Sequence, residues 1–419
     1  MKKVILAAIL AAGILNTGIS GIAMENDTGQ LPSFYDSRDA GKSAVIKNQG
    51  NLGTCWALTA ATALEIGLLP REEWYFSADH ISLQNSFGQD QSLGGDYLML
   101  MAYFAGWQGP VPESEDPYGD GYSPEGLSPA KHVQEMELLQ SGDYQKIKEC
   151  VYRYGAVQSS VYMDLEDVFS YSVYYNQLNA SYLYNGEASP NHDVLIIGWD
   201  DTYPAENFNV HTEKDGAFIC QNSWGEEFGD QGIFYVSYED CIIGKNTIVY
   251  SGIEDADNYA WMEQTDLCGW VGQLGYGDGS CYFANIFREQ QGRTLEAVGF
   301  YTTGTDTKYQ IYVIEGAASP EDFLLEEVAA QGMISEKGYH TVQLDEPWEI
   351  NENTYAVVIF LESQGTQYPV ATEFAADETT RNVTIADGDG YISHKGNDWT
   401  GSESQYQCNV CMKVYGSYQ

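Results

Sequence analysis

The sequence predicts an α+β protein in two parts: a helical and β portion, then an all-β portion after about Val249. Three observations predict it. Residues 55–69 are alanine-rich and apolar at helical spacing, with Ala57, Leu58, Ala61, Leu64 and Ile66 available to bury. From Val157 the apolar period shifts toward two, the period of a strand with one buried face. Beyond residue 249, short runs rich in Val, Tyr and Ile alternate with Gly, Asp and Asn turns, the texture of a β-sandwich.

Taken in order, Lys2 and Lys3, the apolar run Val4 to Leu15 and the small-x-small triplet Gly21-Ile22-Ala23 read as an export signal over residues 1–23. The helix at 55–69 comes next. Gly94-Gly95 precedes a second helical run, Tyr97 to Phe104, which ends near Gly106 before the Pro- and Glu-rich loop Pro110 to Pro117. Val194 to Ile197, Ala217 to Cys220 and Gly232 to Val236 read as strands of the first portion, residues 31–250. Thr294 to Tyr301, Tyr309 to Ile314, Tyr339 to Leu344 and Tyr355 to Phe360 read as strands of the second, residues 255–419.

Composition narrows the function. The net charge of −42 is shared between both halves, and neither has a basic patch. That argues against nucleic acid or anionic lipid as a partner, and suits a solvated surface on an exported protein. No later apolar run is long enough to span a bilayer. The expected location is therefore outside the cell, secreted or held at its surface. The eight cysteines are thinly spread. Cys408 and Cys411 could form a metal site with Cys268 and Cys281, but their segment reads as a strand that turns the two sulfurs to opposite faces. Asp387-Gly388-Asp389-Gly390 lacks a closing glutamate and reads as a turn rather than a calcium loop. No metal and no cofactor is expected.

The densest chemistry lies in Asn48-Gln49-Gly50-Asn51-Leu52-Gly53-Thr54-Cys55-Trp56-Ala57. A thiol opening a helix meets free backbone N–H groups and the positive end of the dipole, which favour the thiolate. The Gln49 amide stands where it can donate to an oxyanion formed beside that sulfur. Asn191-His192-Asp193 follows 137 residues later, counted from Cys55 to His192, and Gln221-Asn222-Ser223-Trp224-Gly225 brings Asn222 another 30 on. Order, spacing and local context resemble the papain-type cysteine peptidases over about residues 31–250.

The resemblance implies a papain-like two-lobed fold, with Cys55 and His192 on opposite walls of a cleft. It implies that Cys55 attacks a peptide carbonyl, that His192 is its ion-pair partner and the acid for the leaving amine, and that Asn222 orients the imidazole under Trp224. Gly94 and Gly95 match the glycine pair that presents backbone to substrate. Asp193 would face the pocket for the second residue before the scissile bond. The other five histidines (His80, His132, His211, His340 and His394) read as surface or structural. Leu31 to Arg38 resembles the family's mature start, so close to the proposed cleavage site that no folded inhibitory segment is expected between them.

Three departures stand out. Leu52 replaces a disulfide cysteine, Phe228 replaces a second tryptophan, and Asp200 to Asp215 lengthens one hairpin. The all-β portion resembles the lectin-like domain appended to secreted bacterial members of the family, on its texture and on Gly299-Phe300-Tyr301. Trp270, Tyr276, Trp348 and Trp399 could stack on sugar rings; buried or edge aromatics of a sandwich would look the same. The expected partners are protein or peptide substrates, with a glycan or cell-surface ligand possible for the β portion. Two other functions fit parts of the sequence: a cell-wall Cys-His amidase or transpeptidase, and an adhesin whose first half is only scaffold.

Overall fold

The alanine-rich run forms helix α1 (Cys55–Leu68), and its small side chains decide how it packs. The computed structural model describes residues 30–288, 292–385 and 388–419, so the proposed signal at 1–23 and Asp387 lie outside the described residues. Helix α1 is buried around nearly its whole circumference, including Thr59, Thr62 and Glu65, rather than on one face. It packs against α2 (Ala78–Leu83) and α3 (Tyr97–Ala105), and against the strands His192–Asp200 and Thr247–Asp255. Glu65 is tolerated inside because Lys47 pairs with it at 2.8 Å and the Phe76 N–H donates to it at 2.8 Å. A further helix, α4 (Tyr144–Tyr154), buries Ile147, Cys150 and Val151 and stops at Gly155, whose φ of +100° suits glycine.

The predicted strands form, but they do not divide into two separate sheets at residue 250. One 13-stranded sheet runs through both portions. Within the first portion its order is Lys131–Leu138, Thr247–Asp255, Val157–Val161, His192–Asp200, Ala217–Gln221 and Ile233–Ser237. On the other side of Lys131–Leu138 it continues through Lys337–Ile350, Arg293–Thr302, Met412–Tyr418 and Trp261–Gln264. The seam is antiparallel, with Lys337 opposite Leu138, Gly338 opposite Glu137, Tyr339 opposite Met136 and His340 opposite Glu135.

A second, six-stranded sheet packs on this β portion, with Phe283, Ile311, Val357 and Ile359 facing Val298, Phe300 and Val414. Its outer face is also covered, by a cluster including Ala284, Ile286, Ala356, Val358 and Phe323. Tyr355 to Phe360 is consequently almost continuously apolar rather than alternating, because both faces of the strand Thr354–Gln364 are buried.

Trp270, Trp348 and Trp399 pack partly buried against core clusters, whereas Tyr276 is open and stacks on His394 at 4.9 Å. Cys408 and Cys411 are both buried, and the strand expected to carry them is broken at Cys411, between Asn409–Val410 and Met412–Tyr418. All eight cysteines are free. No helix among the described residues is long and apolar enough to cross a membrane.

Candidate active site

Cys55 occupies the first residue of α1, partly buried. Thr54 makes no side-chain cap; its carbonyl starts the helix by accepting from Ala57 and Leu58, and its hydroxyl meets the Tyr118 hydroxyl at 2.5 Å. The N–H groups of Cys55 and Trp56 are thereby left to the sulfur, together with that of Asp193 from the facing strand, and all three favour the thiolate. The loop before the helix is close-packed. Gly53 donates to the Gln91 carbonyl at 3.0 Å, and a Cβ on Gly53 would meet that oxygen at 2.9 Å. This backbone link stands in the neighbourhood where Leu52 removes a disulfide.

His192 opens the strand His192–Asp200 and is buried. Its Nε2 meets the Asn222 Oδ1 at 2.7 Å, and the Trp224 ring lies 5.0 Å away, tilted over the pair. Phe228 backs that tryptophan edge-on at 5.2 Å and is itself stacked on Tyr175, so the replaced tryptophan position still supports Trp224. Asn222 sits just past the strand Ala217–Gln221, held by its N–H to the Gly232 carbonyl; its Nδ2 has no partner among the described residues.

Gln49 is fixed by the same segment. Its backbone N–H donates to Ser223 O at 2.8 Å, and its Oε1 accepts from the Ser223 hydroxyl at 2.8 Å. Its Nε2 donates to Leu52 O at 2.8 Å, which uses one of the amide's two N–H bonds. Ser223 is therefore a positioning residue that pattern reading passed over; its place between Asn222 and Trp224 was the available signal.

The remaining predicted residues fall around this centre. Gly95 is demanded by packing: a Cβ there would sit 2.3 Å from the Trp56 indole. Gly94 has φ +83°, and its carbonyl is taken by Gln89 Nε2 at 2.6 Å. Asp193 is held from the neighbouring strand. Its carboxylate accepts from Gln158 Nε2 and from the Ser160 hydroxyl, each at 2.8 Å, both from the neighbouring strand Val157–Val161. Gln158 is held in turn by the Tyr250 hydroxyl at 2.9 Å. The lengthened hairpin carries its own small core of Tyr203 and Phe208 against Leu183 and Ala217.

The electrostatics qualify the expectation of a pre-charged pair. Burial pushes the Cys55 thiol up to about 12, with the Asp193 carboxylate adding to it, and pushes His192 down to about 4 against its bond to Asn222. Neither group acquires charge from its solvation alone. A thiolate–imidazolium pair forms only when transfer of the proton from sulfur to nitrogen creates both charges together, with mutual attraction and the helix N–H groups opposing burial. Beside His192 and Trp224 a groove of about 280 Å³ opens, lined also by Leu52, Met163, Leu165 and Glu166. Among the described residues no cluster of His, Cys, Asp and Glu is arranged to hold a metal ion.

A cysteine at a helix N-terminus, a histidine–asparagine pair on the facing strand and an anchored glutamine are thus brought together between a helical wall and a β wall. The family model for papain family cysteine proteases matches residues 31–251, and a model described as a lectin-like domain matches residues 262–416. The chain belongs to the papain family of cysteine proteases.

Cathepsin K of Mus musculus is 26% identical over 211 residues, covering 49% of this chain and 59% of that protein. A viral cathepsin of Heliothis zea nuclear polyhedrosis virus is 31% identical over 218 residues, covering 49% and 53%. The chain thus spans a little over half the length of these curated relatives. Among solved structures, the clostridial cysteine protease Cwp84 after propeptide cleavage superposes with a TM-score of 0.80 at 24% identity, covering 91% of this chain and 99% of that one. The cysteine protease and lectin-like domains of Cwp84, a surface layer associated protein of Clostridium difficile, superpose at 0.78 with 23% identity, covering 93% and 89%. These likenesses show the fold: a papain-like fold followed by a lectin-like β domain.

Proposed function

We propose that the protein is an exported cysteine endopeptidase. The observation that carries this reading is the His192–Asn222 bond of 2.7 Å beneath Trp224, on the strand facing the N-terminus of the helix that begins with Cys55. Cys55, deprotonated by His192, attacks the peptide carbonyl. The remaining N–H of Gln49 and the backbone N–H of Cys55 stabilise the oxyanion, His192 protonates the leaving amine, and water then hydrolyses the acyl-enzyme. Asn222 holds the imidazole, and Trp224 shields that bond from water.

The extended substrate pairs with the backbone of Gly95, since the carbonyl of Gly94 is occupied. Asp193, whose carboxylate accepts from Gln158 and Ser160, borders the pocket for the second residue before the scissile bond and gives it some tolerance for Lys or Arg. The functional division is placed at residues 31–250 for catalysis and 255–419 for holding a glycan or another cell-surface ligand. The signal-like residues 1–23 and the surface-layer association of Cwp84 support a place outside the cell.

The test is chemical. An epoxide inhibitor of papain-like peptidases should label Cys55, and Cys55→Ala should lose casein hydrolysis by several powers of ten while staying folded. Activity within about tenfold of the parent, a barrier change of only ~1.4 kcal/mol, would remove Cys55 from the mechanism. Turnover of peptidoglycan without casein would favour an amidase instead.

A further inference from the structure

Past Glu166, on the rim of the groove beside His192, the chain turns its apolar side chains outward. Phe169 and Tyr171 are each 82% exposed and Val173 is 54% exposed, whereas Ser172 between them is 2% exposed. Of the polar side chains here only Ser172 is buried, and the carboxylates of Asp164, Glu166 and Asp167 stay exposed. The Ser172 hydroxyl donates to the Asp164 carboxylate at 2.9 Å, and the Ser170 hydroxyl to the Asp167 carboxylate at 2.8 Å. Two exposed aromatic rings this close in the chain stand out in a protein whose net charge is −42. At these exposures the two aromatic rings alone leave on the order of 300 Å² of apolar surface open, enough to mark an interaction site.

The patch continues the substrate groove. The groove takes in His192, Trp224 and Glu166, and its lining does not include Gly94, Gly95 or Asp193. It therefore receives the part of the substrate that departs with the amine. Phe169 follows Glu166 by three residues, so its Cα lies within about 10 Å of the groove lining. An extended peptide leaving the groove at about 3.3 Å per residue reaches Phe169 after about three residues and Tyr171 after about five.

We propose that Phe169, Tyr171 and Val173 form an exosite for apolar side chains of the substrate about three to six residues on the C-terminal side of the scissile bond. This rests on the peptidase reading above, and it concerns affinity for the departing segment rather than the chemistry at Cys55.

Three substrates test it. Two peptides share the cleaved bond, one with Phe and Leu at the third and fifth positions after it and the other with Ser at both. The third substrate has only an aminocoumarin leaving group. The parent protein should cut the apolar peptide with kcat/KM about tenfold above the Ser peptide, the lower end of what an apolar contact discriminates. Phe169→Ser with Tyr171→Ser should erase that preference and leave aminocoumarin turnover within about twofold. A preference that survives the double variant, or an equal loss on all three substrates, overturns the exosite.

Binding of the same labelled peptides to Cys55→Ala protein, followed by fluorescence anisotropy, should rank them in the same order, so the exosite is read without turnover. Absence of Cys55-dependent aminocoumarin release would instead count against the peptidase reading. Capture on phosphatidylcholine vesicles that the double variant abolishes, with no peptide preference, would assign the rim to a lipid surface and overturn the proposal.

Discussion

Among the described residues each half buries one lysine–carboxylate pair on both sides, and the two pairs do different things. Lys47 and Glu65 meet at 2.8 Å with side chains 7% and 2% exposed; Lys413 and Asp266 meet at 2.7 Å with 1% and 0%. Lys47 stands two residues before Gln49, Glu65 lies on the helix that begins with Cys55, and the Lys47 carbonyl accepts from the Gly225 N–H at 3.0 Å. That pair joins the two strips of chain whose spacing matters at the site. Lys413 instead ties the last strand to the loop at Asp266, whose other oxygen takes the Met412 N–H at 2.9 Å. The same chemistry reads out as site geometry in one half and as fold stability in the other.

The most disruptive way to test this contrast is Lys413→Met, which leaves Asp266 buried and unpaired. It should cost about 3–5 kcal/mol of unfolding free energy by denaturant titration, with kcat/KM preserved in the protein that remains folded. Lys47→Met should cost a comparable amount and also lower kcat/KM; unchanged activity in that variant would dissolve the distinction. Next in size, Gln49→Ala should lower kcat by roughly 10²–10³, the cost of one oxyanion donor, and a change confined to KM would move Gln49 from the oxyanion to substrate binding.

The seam between the halves is sharpened by Gly338→Ala. Its φ is +145°, and a Cβ there would meet the Met136 carbonyl oxygen at 1.9 Å. Unfolding should be easier by about 1–3 kcal/mol, with both halves melting together if the continuous sheet couples them. Two separate transitions already present in the parent protein would show that the seam does not.

The smallest expected effect is in the pH profile. Burial holds His80, bonded to the Tyr103 hydroxyl at 2.6 Å, down to about 4 from an unfolded value near 6.5. Between those values the unfolded chain binds the proton first, so this contribution is full above about 6.5 and is lost as pH falls toward 4. Asp266, raised by burial to about 7, acts in the opposite sense: the folded state keeps its proton above 3.8, so stability falls as pH rises toward 7. Thermal melts from pH 4.5 to 7 should show the acid-side loss shrink by a few degrees in His80→Gln. An unchanged slope would place the titration elsewhere.

What was legible in the sequence was local. Cys55 to Leu68 is a helix because alanine and leucine recur at its spacing, and Val194 to Ile197 lies in a strand because four apolar residues fit only a twice-covered sheet position. The structure places Cys55, His192, Asn222 and Gln49 around one centre. Less visible was the support around that centre. Ser223 on Gln49, and Gln158 and Ser160 on Asp193, use ordinary polar residues with no periodic mark. Tyr355 to Phe360, an unbroken apolar run, is likewise covered on both faces.

The sequence by itself determined the elements, the order of the reactive residues and the change of texture after residue 249, since each follows from side chains within a few positions of one another. Only the tertiary structure decided that one sheet passes through both halves. The pairing of Lys337 to His340 with Glu135 to Leu138 joins residues some two hundred positions apart, as does the bond from Thr341 to Gln134. Such a contact forms because both strands present open backbone N–H and C=O groups that burial obliges to pair, and nothing in either segment alone names its partner.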